Sequence, residues 1–467
     1  MNFDNFDDKI PAGALKIIGL LNDAGYEAYI VGGCVRDLIL GRTPCDWDIT
    51  TSALPEQVKA VFKRTVDTGI QHGTVTVLMR ENHEQQGFEV TTYRIDGVYE
   101  DCRHPKEVEF TASLKEDLKR RDFTVNAMAY SPGAGIVDMH GGIDDLKAGV
   151  IRCVGDAKER FTEDALRMMR AIRFSAQLDA VIEDDTWNAI KELAPNIRFV
   201  SAERIRVEAE KLLISEHPYR FKLFYESGLT KYILPEWDVT MTATQENPHH
   251  MYTVGEHLLH SLMSINTELL KKEFAGEYTR ALRILRLTML FHDIAKPEYK
   301  TVDEDGVAHF KGHPHGSAKM AEEILRRLKY DNDTIKKVVR LVENHEDRYD
   351  TDERSVRRAM NRMGEECFPY IFYVQEADCL AQSTFMREEK LARIAKLREQ
   401  YPLILAKKQC ISIKDLAVGG HDLMDAGIKP GPDMGRILAE MLEDVLDEPE
   451  HNDRQYLLEH YVYEKKA

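Results

Sequence analysis

The stretch Val31-Gly32-Gly33-Cys34-Val35-Arg36-Asp37, followed by Asp46-Trp47-Asp48-Ile49, decides how the rest of the chain is read. Residues 27–31 predict a strand that runs into two glycines, and residues 35–40 a short helix ending at Gly41. Glycines between strand and helix let the backbone approach a ligand, and the helix start offers unpaired N–H groups to phosphate. Arg36, in that first helical turn, adds a charge suited to a triphosphate. On a strand, Asp46 and Asp48 point to the same face, about 7 Å apart. Such a pair can hold one or two Mg²⁺ ions, which activate an attacking hydroxyl and neutralise a leaving pyrophosphate. A glycine pair alone is usually only a turn, and Asp-x-Asp alone a solvated loop. Their order and placement on these elements make them a candidate site.

Working outward, residues 47–50, 74–79, 88–93 and 108–110 are rich in β-branched and aromatic residues and predict strands. Strand signals then nearly stop. From Ala157 onward apolar residues recur three and four apart, as in Leu166, Met169 and Ile172. The fold class is α+β: an N-terminal head built on a mixed sheet, then an all-α remainder. Asn247-Pro248-His249-His250 and Gln382-Ser383-Thr384 mark breaks, residues 301–305 a loop, and Lys429-Pro430-Gly431-Pro432 a turn between two helices. The expected domains are 1–152 (head), 153–240 (helical neck), 245–380 (helical body) and 385–467 (helical tail), a division that suits 467 residues.

Sixty-three Lys and Arg against 80 Asp and Glu leave a net charge of −17, which argues against a polybasic nucleic-acid binder but allows a local basic groove. No apolar run is long enough to span a membrane, and the acidic start Met1-Asn2-Phe3-Asp4 does not read as a signal peptide. The seven scattered cysteines contain no CxxC, so a disulfide framework is not expected and a reducing cytoplasm is.

The run Gly32-Gly33, Arg36-Asp37, Asp46-Trp47-Asp48 resembles the head of the class II template-independent nucleotidyltransferases of the polymerase-β superfamily. That group contains the CCA-adding tRNA nucleotidyltransferases and the bacterial poly(A) polymerases. Arg94 to Asp96, Asp101-Cys102-Arg103-His104-Pro105, the run Leu118 to Met128, the run Glu163 to Arg170 and Ser201-Ala202-Glu203-Arg204-Ile205 extend the match in order over roughly residues 25 to 215. The resemblance implies a polymerase-β-like head, Mg²⁺ on Asp46 and Asp48, and nucleotide contacts at Gly33, Arg36, Arg121, Asp164, Arg167, Arg170 and Arg173; the turn reading adds Gly32. Glu89, on a strand whose partners face the aspartates, is either a third carboxylate or an ordinary exposed strand residue. The implied partners are tRNA, CTP and ATP, with no membrane.

Residues 163–174 predict one helix. Asp164, Arg167 and Arg170, three apart, share roughly a third of its circumference, beside the apolar stripe Leu166, Met169 and Ile172. For an isolated helix this would be a solvated face with an Asp164–Arg167 ion pair worth ~0.2–0.5 kcal/mol. Beside the head motifs it reads as a base-recognition face.

A second constellation comprises His257, His292-Asp293, His313-Pro314-His315 ahead of a helix starting near Ser317, His345 and Asp378. Imidazoles and carboxylates at such spacing bind divalent metals. The spacing resembles the HD superfamily of metal-dependent phosphohydrolases. That resemblance implies His257, His292, Asp293 and Asp378 as ligands of a divalent transition metal, with His313 and His345 for a second ion. It leaves open whether His313 or His315 would ligate, and whether the histidines are instead hydrogen-bonded core residues.

In the tail, residues 387–414 carry eight basic and three acidic side chains, and the glycine-rich turn near Lys429 suits either phosphate contact or a plain interhelical turn. The tail resembles that of bacterial CCA-adding enzymes. The whole reads as template-independent addition of C, C and A to tRNA. The alternatives are a poly(A) polymerase or partial adder, or an HD phosphohydrolase acting on RNA 3′ ends whose head only binds RNA.

Overall fold

The structure is a computed structural model that describes residues 6–81, 84–96 and 108–463. The Asp101-Cys102-Arg103-His104-Pro105 motif lies outside the described residues. The chain forms two compact units, Met1–Pro235 and Glu236–Ala467.

The first unit is built on a seven-stranded sheet. Its strands are β1 (Ala28–Val31), β2 (Asp48–Thr51), β3 (Thr65–Gly69), β4 (Thr74–Glu81), β5 (Glu84–Thr92), β8 (Met128–Ser131) and β9 (Gly135–Asp138), in the order β3-β4-β5-β2-β1-β8-β9. β6 (Arg94–Asp96) and β7 (Val108–Phe110) form a separate antiparallel pair. β2 runs parallel to β5 and antiparallel to β1, so the sheet is mixed. Ile30 pairs with Ile49, and Ile49 with Val90, placing three fully buried side chains in one row across the centre. Each contributes roughly 1.5–3 kcal/mol of apolar burial.

Four sequence expectations are corrected here. Strands do not stop after 110. β8 and β9 complete the sheet, and β8 is buried at all four positions, so it lacks the alternation that marks a half-exposed strand. Asp46 is not on a strand: β2 begins at Asp48, and Asp46 precedes it in the loop. The single helix over 163–174 is two, Ala157–Glu163 and Leu166–Leu178. Asp164 is extended (φ −140°, ψ 102°), and its side chain accepts the Leu166 N–H, a local bond that competes with helix continuation. Residues 301–305 enter a small hairpin, Thr301–Val302 with Ala308–His309, rather than a plain loop.

The second unit is helical. Val254–Met263, Tyr278–Phe291, His313–Arg327, Asn332–Glu343 and Phe368–Ala381 pack around one core, and Tyr278–Phe291 buries ten of its residues. The helix expected near Ser317 begins at His313, because Gly312 (φ +88°) turns the chain and Pro314 fits the first helical turn. Lys429 to Gly431 lie between the helices Gly420–Asp425 and Pro432–Asp447, and Pro432 opens the second. Among the described residues no helix is long and apolar enough to cross a membrane, and the six described cysteines are free.

Candidate functional site

β1 ends at Val31 and Gly32 turns the chain at φ +84° into the helix Gly33–Ile39. A Cβ at Gly32 would lie 3.1 Å from Arg121 Nη1, so glycine is needed both for the backbone and for the guanidinium beside it. Gly32→Ala should destabilise the first unit by about 1–3 kcal/mol and displace Arg121. Urea unfolding together with the KM for nucleotide checks this, and an unchanged midpoint and KM would refute it.

Asp48 stands in parallel register with Glu89, so both carboxylates leave the same face of the sheet. Both, and Asp46, are exposed to solvent. The surrounding protein raises the Asp48 carboxyl above its usual range; Arg121 opposes this, while the charges of Glu89 and Asp46 add to it. The charges of Asp46 and Glu89 acting on Asp48 are a concentration of negative charge that a divalent cation would neutralise. Cys34 ties the glycine turn to this cluster. Its thiol donates to the Val31 carbonyl and is pushed up to about 11, first by burial and then by the Asp48 charge.

Behind the carboxylates lies an ion network. Asp117, fully buried, accepts from Arg120 (2.7 and 3.0 Å) and from Thr50 Oγ1 (3.1 Å), with Arg121 Nη2 3.5 Å away. Arg36 donates to Asn126 Oδ1 (2.7 Å), and Asn126 donates to Asp122 (3.3 Å). Asp122 accepts twice from Arg170 (2.5 and 2.8 Å). Burial alone would raise Asp122, but Arg170 outweighs it and holds the carboxyl down at about 2. A carboxyl depressed in the folded state stabilises above its unfolded pKa near 4, and that stability is lost as pH falls through about 2. The stability gap between the wild type and Asp122→Asn should therefore narrow by about 2 kcal/mol between pH 4 and pH 2. Urea midpoints across that range measure it; a constant gap would refute it.

Arg173 is buried. Its guanidinium bonds Glu208 (2.5 Å) and Gln177 and lies 3.7 Å from the Phe174 ring centroid, which places it behind Arg170. Asp164 and Arg167 do not pair with each other. Asp164 bonds Arg204 (2.7 Å), while Arg167 bonds Glu163 (2.5 Å) and the Arg120 carbonyl (3.1 Å). Asp117, Asp122, Asn126, Arg204 and Glu208 carry this framework without having been assigned roles from sequence. Asp122, Asn126 and Arg204 sit inside the quoted motifs, but only packing reveals their partners.

The second unit gathers the other constellation. His257, His292, Asp293 and Asp378 present ligand atoms within 4.8 Å of one another, and Asp293, His313 and His345 form a second such group, sharing Asp293. His257 Nε2 lies 3.0 Å from Asp378 and 3.1 Å from His292 Nε2. His313 Nε2 lies 2.9 Å from Asp293 Oδ1. His315 is exposed and pairs with Glu343, so it lies outside the cluster. Nδ1 of His292, His313 and His345 each faces a backbone carbonyl at 2.7–3.0 Å, and that of His257 faces the Ala381 carbonyl at 3.4 Å. This orients all four Nε2 atoms inward. Burial would raise the Asp293 and Asp378 carboxyls. Lys296 and His292 hold Asp293, and His257 and His292 hold Asp378, well below the usual range. Asp293 Oδ2 is buried, with Lys296 Nζ 2.6 Å away and the Nε2 atoms of His257 and His292 at 3.4 Å. A buried carboxylate among inward imidazoles is a donor set that fits a transition metal.

Fold and head site together define a nucleotidyltransferase. Residues 28–152 match the profile described as "Poly A polymerase head domain", residues 181–241 that of "Probable RNA and SrmB- binding site of polymerase A", and residues 309–461 a profile for the second domain of tRNA nucleotidyltransferases. The chain is 36% identical over 456 residues to a CCA-adding enzyme of Leuconostoc mesenteroides, covering 96% of each, and so belongs to the CCA-adding enzyme family. It is 54% identical over 205 residues to the Lactiplantibacillus plantarum CCA-adding enzyme, covering 44% of this chain and 49% of that one. The crystal structure of the Bacillus stearothermophilus CCA-adding enzyme in complex with CTP superposes with a TM-score of 0.70 at 30% identity, covering 97% and 98% of the two chains. The Thermotoga maritima CCA-adding enzyme complexed with tRNA shares the fold (TM-score 0.59, 21% identity, 98% and 97% covered).

Proposed function

We propose that this chain adds C, C and A to the 3′ end of tRNA from CTP and ATP, releasing pyrophosphate, in the cytoplasm. The observation that carries the reading is the parallel register of Asp48 and Glu89 beside Asp46, with Gly32 and Arg121 at the same place. The tRNA 3′-oxygen bonds to the α-phosphorus, and the bond from that phosphorus to pyrophosphate breaks. Asp46, Asp48 and Glu89 are the residues that would hold Mg²⁺, which when bound would activate the hydroxyl and neutralise the leaving group. Arg36 and Arg121 take the triphosphate charge, supported by Asn126 and Asp117. Asp164 and Arg167 read the base, and Arg170, buttressed by Asp122 and Glu208, holds the nucleotide beside them. The test is incubation with tRNA lacking its 3′ end and with CTP and ATP, singly and together. Complete CCA supports the reading; a long A tail, partial addition or no extension overturns it.

A second reading concerns the other unit. The buried cluster sharing Asp293 is an HD-type metal centre, favoured by the four inward Nε2 atoms and by the two groups of ligand atoms that share the Asp293 carboxylate. Protein purified without chelator should retain a divalent transition metal. Asp293→Ala should lower that retention at least about tenfold while CCA addition persists, since ligand and outer-shell changes cost metal affinity on this scale. Elemental analysis showing equal, negligible metal in both proteins would refute it.

A further inference from the structure

Two cavities flank the His257–Asp378 cluster, of about 640 Å³ and about 180 Å³, and their walls share Glu346, Arg348, Gln382 and Lys390. The larger also takes in Lys296 and Lys311, the smaller Arg393. In a chain of net charge −17 this is a local excess of cations. Elsewhere in this unit Arg354 and Arg358 pair with Asp447 and Arg398 with Glu376, while Arg340 and Arg387 bond backbone carbonyls. Among the described residues Lys311, Arg348 and Arg393 make neither a hydrogen bond nor an ion pair. Arg393 Nε is buried with no partner. Lys390 bonds only neutral groups, Gln382 at 2.7 Å and His249 at 3.3 Å. The wall anions do not answer these charges: Asp347 pairs with Arg362 at 3.0 Å, and Glu346 approaches His313 at 3.8 Å. The field reaches the histidines nearby. After burial, Lys390, Arg348 and Lys296 are what lower His249.

A partly buried guanidinium without an anion is costly, and a phosphate supplies the missing charge-assisted bonds. Lys296 already has Asp293 Oδ2 2.6 Å away, whereas among the described residues Arg348, Lys390 and Arg393 have no carboxylate partner. We propose that this groove binds a phosphate ester carrying at least two phosphates, one at the cluster and another on Arg348, Lys390 and Arg393. The assignment of the first phosphate rests on the metal-centre reading above; the cationic groove does not. Two sources share this chemistry, an RNA end and a nucleoside bisphosphate.

The test uses the full chain as purified and reads binding rather than turnover. A trinucleotide with a 3′-phosphate and a 4-thiouridine base is photo-crosslinked and the attached peptides are mapped, which separates this groove from the head. Cross-links are expected within 296–311 and 345–393, and should fall at least tenfold in the Arg348→Gln/Arg393→Gln variant. Arg348→Gln alone, at an exposed position, should lower them in the same direction. A nucleoside 3′,5′-bisphosphate should compete at a concentration at least tenfold lower than a nucleoside 3′-monophosphate. Equal competition by bisphosphate and unlabelled trinucleotide points to the small nucleotide, and tenfold better competition by the trinucleotide to an RNA end. Cross-links confined to 1–235, no loss in the variants, or a monophosphate competing as well as the bisphosphate would each overturn the proposal. Absence of metal from the native protein would overturn the metal centre while leaving the cross-link result standing.

Discussion

Asp48→Asn is expected to lower extension of a tRNA lacking its 3′ CCA by at least about 10³-fold while tRNA still binds. The variant keeps size and shape but removes one of three neighbouring carboxylate charges, so a cation held there would lose a ligand and its field on the α-phosphorus would weaken. A loss of 10³ corresponds to about 4 kcal/mol of transition-state stabilisation, which suits removal of a metal ligand rather than of one surface charge. Asp46→Asn should behave alike. Glu89→Gln separates the two readings of that residue: a third ligand predicts a large loss, an exposed strand residue almost none. The measurement is single-turnover extension beside a tRNA-binding isotherm. Near-wild-type extension by Asp48→Asn would sink the metal assignment, and parallel loss of binding would relocate the role of Asp48 to RNA contact.

The second expected result concerns base choice. Cytosine and adenine each present an exocyclic amine donor beside a ring-nitrogen acceptor, and uracil and guanine present the reverse on the corresponding edge. A carboxylate only accepts and a guanidinium only donates. Asp164 facing the amine and Arg167 facing the ring nitrogen suit C and A, and against U leave acceptor facing acceptor and donor facing donor. Each mismatch in a half-buried setting costs on the order of 1–3 kcal/mol, about 10- to 100-fold. Asp164→Ala combined with Arg167→Ala should thus cut the preference for CTP over UTP by at least about tenfold, and by on the order of 10² if both contacts act independently. The surrounding bonds explain how two side chains could stay aimed without a template: Arg204 holds Asp164, and Glu163 with the Arg120 carbonyl holds Arg167. The readout is the ratio of kcat/KM for CTP and UTP on one acceptor. An unchanged ratio would move base reading to other residues.

The chain alone carries the strand–glycine–helix turn, the Asp-x-Asp after it, the α+β head and the helical remainder. Those features are local: period, glycine placement and β-branched content act within a few residues. Even there the limits are physical. β8 is buried on both faces, so its pattern does not alternate, and the helix break at Asp164 depends on one side chain capturing the Leu166 N–H. The second constellation was legible as a set of ligand-type residues, yet spacing could not choose between His313 and His315. They are two apart on either side of Pro314, and only the fold turns one onto Asp293 and the other toward Glu343. The same holds for Arg173, which chain position makes an equal of Arg170 but packing places against Glu208 and Phe174. Residue chemistry and short-range order were thus determined by sequence. Which charge meets which, and which cation is left without an anion, was decided by tertiary structure, because those are distances between side chains that only packing brings together.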